Sequence, residues 1–345
     1  MKINQYTKQD LTLIPDSDRF WEQNNISGIR EKIVHLLKNP ALCDKDYVLF
    51  TGEESDQVVS YLTVCPEIIK LNGDISKIYW LNSWWVDPAF QDTGIAGFIF
   101  FKAWNILDKK IAVSSFSGSA EQFYERIGKF DVLKDKTRFS IFLNIDTSLI
   151  LLKFNFLKSF TFLLKLMRIP LLLCYFCLTL AINRLLKKNN IEIKSAADFD
   201  DQIWDYVNRK TNSDLVIKSK EYFKWKLDNL ISYKVLHAGT IVGFLSFSQI
   251  INNQKSLNNK VLRVEYFLSD SKYNKMIIFL IISLAYKFKC NRIVTESEEL
   301  SHELHKYRFF WLFKITQKKN AIISKTFKIN MNSAPEISLH LGDGG

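Results

Sequence analysis

The sequence predicts a mixed α/β (α+β) fold that is present twice in the chain. Residues 1–148 combine helical and strand-like segments in the order helix, hairpin, strand, helix, strand, helix, strand, and residues 191–332 repeat that order. Such an order is typical of a mixed central sheet flanked by helices. Because the whole succession recurs, we predict two tandem copies, each folding around its own sheet. Residues 149–190 are then linker helices and 333–345 a tail.

Runs of aromatic and branched residues predict the strands, and helical spacing of apolar residues predicts the helices. In the first copy we expect helices over 16–38, 98–107 and around Tyr124, and strands over 47–51, 58–64, 77–86, 111–115 and 137–144. In the second copy we expect helices over 198–208, 276–288 and 301–310, and strands over 191–193, 233–237, 241–248, 261–268, 292–296 and 321–329.

One loop of the first copy has the composition of a phosphate site. Strand 77–86 runs into a Gly-containing segment that opens the next helix. Backbone N–H groups of such a loop converge on an anion, and the positive end of the helix dipole strengthens the attraction. The glycines let backbone and ligand approach without a Cβ between them. The predicted cradle consists of Val86, Gln91, Asp92, Thr93, Gly94, Ile95, Ala96 and Gly97. The alternative is a Gly-bearing turn without a ligand.

At these residues the chain resembles the GCN5-related N-acetyltransferase (GNAT) family. The family's acyl-CoA signature is Gln/Arg-x-x-Gly-x-Gly/Ala after a Val-x-Pro strand end, and Gln91, Gly94 and Ala96 match it. Residues 119–130 resemble the family's closing helix, which ends in a Phe-Tyr-x-x-x-Gly-x-Phe pattern. The resemblance covers residues 1–145 well and the remainder weakly. It implies tandem acetyltransferase-like folds with acetyl-CoA as co-substrate and no metal.

The second copy lacks the phosphate loop. Between its strand and helix it has residues 269–275, Ser-Asp-Ser-Lys-Tyr-Asn-Lys, without a glycine. We therefore interpret it as a degenerate copy that does not bind CoA.

Acetyl transfer to an amine needs a base for the ammonium proton and an acid for the departing thiolate. The resemblance places Tyr124 beside the CoA sulfur as the acid; otherwise it is a packing aromatic. Many family members carry a carboxylate on the central strand, but residues 80–83 contain none. A water held by Asn82 or Ser83, or Glu265 on the equivalent strand of the second copy, remains as a candidate base.

The sequence predicts no metal site. His302 and His305 are one residue short of the spacing that places two histidines four apart on a helix, so we expect a solvated helix face. Cys174 and Cys177 have no second pair to complete a zinc site, and their apolar surroundings predict buried thiols.

The net charge of +11 is unevenly distributed. Residues 1–148 carry 17 basic and 20 acidic side chains, residues 149–194 carry 8 and 1, and residues 195–345 carry 22 and 15. A basic excess of this kind suits an anionic membrane or a phosphorylated substrate. Because no nucleic-acid-binding motif is present, nucleic acid is not an expected partner. Five scattered cysteines and an N-terminus without an apolar signal core predict a cytoplasmic protein.

Residues 149–188 differ in composition from both copies. The stretch 149–168 is rich in Leu and Phe and carries Lys153, Lys158, Lys165 and Arg168 within an arc of about 140° of a helix. An apolar run follows over 169–182, which is shorter than the ~20 residues that a spanning helix needs. Two interpretations are open: an in-plane anchor giving peripheral contact with the inner membrane face, or linker helices packed against the domains or a dimer partner.

The sequence therefore predicts an N-acetyltransferase that moves the acetyl group of acetyl-CoA to a primary amine. The expected acceptor is a small molecule or a sugar nucleotide, with a role in surface-polysaccharide biosynthesis as one expectation. One alternative is a membrane-proximal aminoacyl or acyl transferase. Another is a non-catalytic CoA-binding or scaffold module that kept the fold without a base.

Overall fold

A computed structural model gives the architecture of the protein. It describes residues 2–15, 18–22, 26, 28–71, 74–114, 116–143, 177, 180–181, 184–196, 199–211, 219–252, 259–306 and 313–328. The chain forms two compact units. The first consists of Met1–Asp135, Ser213–Trp225 and Lys319–Gly345, and the second of Lys136–Asn212 and Lys226–Lys318.

The amino-terminal half of the chain contributes six strands and five helices within the described residues. In order these are β1 (Lys2–Thr7), α1 (Lys8–Leu13), α2 (Arg19–Glu22), α3 (Arg30–Leu37), β2 (Tyr47–Glu54), β3 (Gln57–Leu71), β4 (Asp74–Val86), α4 (Ile95–Ile106), β5 (Ile111–Ser114), α5 (Gly118–Ile127) and β6 (Phe130–Phe142). A 3-10 turn over Pro88–Thr93 joins β4 to α4.

The carboxyl-terminal half repeats the same kinds of element. In order these are β7 (Ile191–Ser195), α6 (Asp201–Thr211), α7 (Lys220–Leu227), β8 (Ile231–His237), β9 (Thr240–Asn252), β10 (Asn259–Ser269), α8 (Asn274–Lys287), β11 (Arg292–Thr295), α9 (Glu298–Lys306) and β12 (Phe313–Ser324). A 3-10 turn over Ser271–Tyr273 joins β10 to α8.

The strand order is the same when it is read from either end. Read from β1 it is β1-β2-β3-β4-β5-β12-β6, and read from β7 it is β7-β8-β9-β10-β11-β6-β12. β4 and β5 pair in parallel, as do β10 and β11, whereas the pairs that join β1 to β4 and β7 to β10 are antiparallel. The predicted fold class, two mixed sheets flanked by helices, is therefore confirmed.

In each sheet the sixth position is taken by a strand from the other half of the sequence. β12 pairs with β5 through Ala321–Ser114, Ile322–Val113 and Ile323–Ala112 in the first unit. β6 pairs with β11 from Phe142–Arg292 to Phe139–Thr295 in the second. The order of elements along the chain gives no sign of this exchange.

Each unit has its own apolar core. In the first, α4 is buried through Ile95, Ile99, Phe100, Ala103 and Trp104, which pack with side chains of β2 to β5. In the second, α8 packs against β9, β10 and β11 in a cluster that includes Ile293, Leu262 and Val264. An apolar helix on a sheet buries the largest continuous area, and that burial is the main stabilising term.

Several sequence predictions were wrong in detail. The helix expected over 16–38 is replaced by the shorter α2 and α3, with a turn at Gly28 and Ile29 before α3. β1 and α7 were not predicted. The last strand is Phe313–Ser324 instead of 321–329, because a 3-10 turn follows Ser324 at once.

Part of the segment 149–188 and the tail 333–345 lie outside the described residues. Within the segment, residues 184–188 are helical, with Leu186 buried and Leu185 exposed. Cys177 is exposed, so the prediction that it is buried was wrong, and Cys174 lies outside the described residues. Among the helices that the structure describes, none has both the length and the apolar character needed to cross a bilayer.

Candidate active site

The predicted phosphate loop forms a tight connection between β4 and α4. Asp87 follows the strand, and its Oδ1 accepts a hydrogen bond of 2.9 Å from the Ala89 N–H, with Pro88 at the start of the 3-10 turn. Gly94 ends that turn in the left-handed conformation, with φ of 79°, and is also the N-cap of α4. Only glycine adopts this conformation readily, so the loop requires a glycine at this position.

The loop presents free amide donors at the start of α4. The first helical hydrogen bond runs from the Phe98 N–H to the Gly94 carbonyl at 3.1 Å. The N–H groups of Ile95, Ala96 and Gly97 precede it and therefore have no carbonyl four residues back within the helix. Three convergent donors at the positive end of a helix form a site for a phosphate or another anion.

The other predicted loop residues lie around these donors in different settings. Ile95 is fully buried, so it offers the ligand its backbone alone. Val86 packs at the edge of the first unit's core. Gln91 and Asp92 are exposed on the 3-10 turn, where Thr93 Oγ1 donates to the Phe90 carbonyl at 2.7 Å.

β4 and β5 separate next to the loop. Their parallel pairing covers Tyr79–Ile111, Trp80–Ala112 and Leu81–Val113, after which β4 continues to Val86 and β5 ends at Ser114. Along β3, Thr63 pairs with Ser83 and Val64 with Leu81, so Asn82 is the extra residue of a β-bulge. A bulge bends its strand, and bulges are frequent beside active sites. Beyond Asn82, the edge of β4 that faces β5 is therefore unpaired among the described residues and available for a ligand.

Tyr124 lies on α5, surrounded by aromatic side chains. It is 4% exposed, and its ring centroid lies 5.3 to 6.2 Å from those of Trp84, Phe100, Phe116, Phe123 and Phe130. Burial raises the pKa of the Tyr124 phenol above its ordinary value. In the described part of the chain its hydroxyl has no hydrogen-bond partner. The group is thus a protonated donor whose acceptor must come from elsewhere.

Further polar atoms of β4 are unsatisfied beside the bulge. Ser83 Oγ and Trp84 Nε1 are buried and lack a hydrogen-bond partner among the described residues. Trp84 stacks on Phe100 at 5.9 Å in the core that faces α4. Trp85 stacks on Tyr61 at 5.5 Å and, as the next residue of the strand, points to the opposite face. Buried donors and acceptors are normally paired, so these atoms point to a bound molecule or water.

The candidate bases have different surroundings. Asn82 is half-buried at the bulge, and the Ser83 N–H donates to Thr63 Oγ1 at 3.0 Å. Glu265 occupies the corresponding bulge of β10, between the pairs Val264–Phe247 and Tyr266–Ser246. Its Oε1 accepts from Ser248 Oγ at 3.0 Å and lies 3.1 Å from Arg263 Nε. The sequence predicted that Glu265 lies on the equivalent strand, but the shared bulge depends on strand register, which the sequence does not show.

The second unit's strand–helix connection is built differently. Asp270 follows β10, and the N-cap of α8 is Tyr273 in the right-handed helical region. Asp270 Oδ1 lies 2.9 Å from Lys210 Nζ and 3.4 Å from the Tyr206 hydroxyl, both on α6. With a right-handed tyrosine in place of the left-handed glycine at the helix N-cap, this connection lacks the features that attract a phosphate to the first.

The predicted solvated histidines are exposed on α9: His302 and His305 both face away from the buried Leu304. Across the described ranges, no group of three His, Cys, Asp or Glu side chains is placed to hold a metal ion.

Solved structures that are similar to this chain include an N-myristoyltransferase and a GCN5-related N-acetyltransferase. N-myristoyltransferase of Saccharomyces cerevisiae with bound myristoyl-CoA matches with a TM-score of 0.55 and 12% identity, over 97% of this chain and 88% of that one. A GCN5-related N-acetyltransferase from Anabaena variabilis matches with a TM-score of 0.50 and 8% identity, over 93% of this chain and 72% of that one. No family model and no curated protein matches the sequence. The likeness is one of fold: the chain has the tandem GNAT-like fold that its sequence predicted.

Proposed function

We propose that the protein transfers an acetyl group from acetyl-CoA to a primary amine at the point where β4 and β5 separate. The observation that carries the proposal is the left-handed Gly94 at the start of α4, which leaves the N–H groups of Ile95, Ala96 and Gly97 free beside the open side of β4. The pyrophosphate of CoA suits these donors, and the pantetheine amides suit the unpaired backbone of β4 beyond Asn82.

The residues around the separated strands suit the chemistry of acyl transfer. The amine nitrogen attacks the thioester carbonyl carbon, the C–S bond breaks, and the thiolate takes a proton from the Tyr124 hydroxyl. The proton of the attacking amine passes to a water held by Asn82 or Ser83. The positioned acid, and the exclusion of water by the aromatic side chains around Tyr124, are the contributions of this chain.

The acceptor that we propose is a small amine or a sugar nucleotide of surface-polysaccharide biosynthesis. The 22 basic against 15 acidic side chains of residues 195–345 support an anionic acceptor. We place the enzyme in the cytoplasm, with residues 149–188 as a peripheral contact to the inner membrane face. A membrane-proximal aminoacyl or acyl transferase is the second candidate, favoured by the structural likeness to an N-myristoyltransferase described with myristoyl-CoA.

Titration calorimetry of the whole chain tests the proposal. Acetyl-CoA should bind with a stoichiometry of one per chain, because only the first unit has the glycine loop. Tighter binding of myristoyl-CoA than of acetyl-CoA would favour the acyl-transferase candidate. Absence of binding to either thioester would favour a non-catalytic scaffold. A screen of amine acceptors with detection of free CoA thiol then identifies the substrate class.

A further inference from the structure

Arg292 is the first residue of β11 in the second unit, and it points away from that unit's core. Its neighbour Ile293 belongs to the core cluster, so Arg292 lies on the opposite face of the sheet. Its guanidinium stacks over the ring of Phe142, 5.8 Å from the centroid, and Phe142 is its direct partner on β6. The stacking fixes the plane of the guanidinium and leaves its edges for hydrogen bonds.

No residue of the described chain satisfies this guanidinium. Arg292 Nε is buried without a hydrogen-bond acceptor, and no carboxylate there forms an ion pair with Arg292. Its pKa is lowered, first by burial and then by the positive charge of Arg138. A half-buried cation beside a second cation is costly unless an anion accompanies it.

Two carboxylates that the structure describes on this face are engaged by other arginines. Arg138 Nε and Nη2 donate to Glu296 Oε1 at 3.0 and 2.7 Å. Arg263 Nε lies 3.1 Å from Glu265 Oε1, and its Nη2 lies 3.9 Å from Glu296 Oε1. These four side chains are 12 to 19% exposed, so the network is largely shielded from water. The remaining positive charge, that of Arg292, has no counter-charge among them.

We propose that Arg292, with Arg138 beside it, binds an anionic group of a ligand on this face of the second unit. A guanidinium presents parallel N–H donors that match the oxygens of a phosphate or a carboxylate, and charge-assisted bonds of this kind are among the strongest in proteins. The site consists of residues of the second unit and does not include the Gly94 loop, so it is a binding function beyond acyl-CoA recognition.

Thermal unfolding of the whole chain in sodium phosphate and in sodium acetate, with ionic strength held constant by NaCl, tests the proposal. Phosphate should raise the melting temperature of the wild type, and Arg292→Gln should weaken the apparent affinity at least about tenfold. Arg209→Gln, which removes an exposed arginine of the same unit, should bind phosphate like the wild type. Any phosphate bound at the Gly94 loop contributes equally to all three proteins. An acetate effect of the same size identifies a carboxylate-tolerant site, and an effect of phosphate alone identifies a phosphoryl site.

Stability without added anion separates binding from a structural role. Arg292→Gln should change the melting temperature little, because its guanidinium loses only the stacking on Phe142 and no hydrogen bond or ion pair among the described residues. Arg138→Gln should lower it by leaving Glu296 without two donors. A further measurement needs no variant. Phosphate should slow the reaction of Arg292 with phenylglyoxal more than that of Arg209, and mass spectrometry can follow both reactions. The proposal would be overturned if wild type and Arg292→Gln responded equally to phosphate and equally to acetate. It would also be overturned if Arg292→Gln were unfolded without added anion.

Discussion

Tyr124 is a protonated phenol whose ring is held in place, as a general acid for a thiolate requires. Burial raises the pKa of its phenol, so the proton is held at physiological pH. Its hydroxyl has no hydrogen-bond partner among the described residues, so it can donate to an atom of a substrate. Its aromatic neighbours fix the ring, so the direction of the hydroxyl is set before a substrate arrives.

We predict that Tyr124→Phe lowers kcat at least about tenfold, since positioned acid–base groups contribute about 10²–10⁴-fold to rate. The acetyl-CoA affinity and the melting temperature at neutral pH should stay nearly unchanged, because the variant keeps the ring and loses an unpaired hydroxyl. Steady-state kinetics, calorimetry and thermal unfolding check the three quantities. Turnover at the wild-type rate would leave Tyr124 as a packing residue.

The raised pKa of Tyr124 also predicts a pH dependence of stability. The folded protein keeps this phenol protonated while the unfolded chain ionises it near its ordinary pKa of about 10. The stability that the protonated Tyr124 contributes to the folded state is therefore fully present below about pH 10. It is lost as the pH rises toward the raised folded pKa. Urea unfolding of wild type and Tyr124→Phe should show a stability difference that changes only above about pH 10. The high-pH limb of the rate profile, if it reports this phenol, should be absent from the variant.

Gly94 allows conformation and charge at the loop to be tested separately. Gly94→Glu and Gly94→Gln place side chains of nearly the same shape at a φ of 79°, so both carry the same left-handed strain of about 1–2 kcal/mol. Only Glu adds a negative charge where the pyrophosphate is expected. We predict that calorimetry shows much weaker acetyl-CoA binding by Gly94→Glu than by Gly94→Gln. Binding of Gly94→Glu within about threefold of wild type would make the phosphate-loop assignment wrong.

At the scale of single elements, the position of α4 depends on a glycine in a neighbouring strand. A Cβ at Gly52 of β2 would lie 2.7 Å from Ile95 Cδ1 and 2.9 Å from Ile99 Cδ1. The first turn of α4, which carries the free amide donors, therefore packs directly on the backbone of β2. The sequence gives no indication of this close approach, because Gly52 lies in what reads as an ordinary hairpin turn.

We predict that Gly52→Ala lowers the free energy of unfolding by about 1–3 kcal/mol through overpacking. It should also weaken acetyl-CoA binding, because relief of the contact shifts the start of α4. Chemical denaturation and calorimetry measure the two effects. Gly28→Ala is the matched control, since nothing lies within 4 Å of a Cβ built there. Loss of stability in Gly52→Ala with unchanged affinity would show that the loop does not depend on this packing.

Most individual elements could be predicted because each has a local signature. β4, the loop and α4 combine a β-rich run, Pro88, Gly94 and an apolar helical run, and the structure has all of them in that order. α7 was missed because Lys220–Leu227 alternates charged and aromatic residues without a clear apolar stripe. It is held by contacts distant in sequence, such as the 2.7 Å hydrogen bond from the Tyr222 hydroxyl to Glu67 Oε1. Contacts of that kind cannot be read from a single segment.

At the scale of the whole molecule, the repeat was predictable and the exchange of strands was not. The repeated element order indicated two copies. In the structure the strand order is the same read from β1 and from β7, and a bulge lies at Asn82 in β4 and at Glu265 in β10. The assignment of β12 to the first sheet and β6 to the second depends on pairing between distant segments. The local sequence pattern does not encode such pairing. A prediction that divides the chain into two domains at a single boundary therefore misses the exchange of β6 and β12.

Residues 149–188 lead to a prediction about where the whole molecule resides. Four cations on one arc beside a Leu/Phe surface suit an anionic bilayer, where each contributes about 1 kcal/mol near the surface. We expect the full chain to sediment with vesicles of anionic lipid, and this partitioning to weaken as salt screens the charges. Replacement of all four cations by Gln should release the protein. The four are Lys153, Lys158, Lys165 and Arg168.

A matched variant separates this arc from the protein's general positive charge. Four exposed lysines of the second unit can be replaced by Gln, which removes the same number of charges from elsewhere in the molecule. They are Lys272, Lys275, Lys287 and Lys289. Because attraction to a bilayer requires the cations to lie beside an inserted apolar surface, the second variant should still sediment with anionic vesicles. Equal loss in both variants would assign the binding to net charge alone, and absence of sedimentation in the wild type would favour the packed-linker interpretation of residues 149–188.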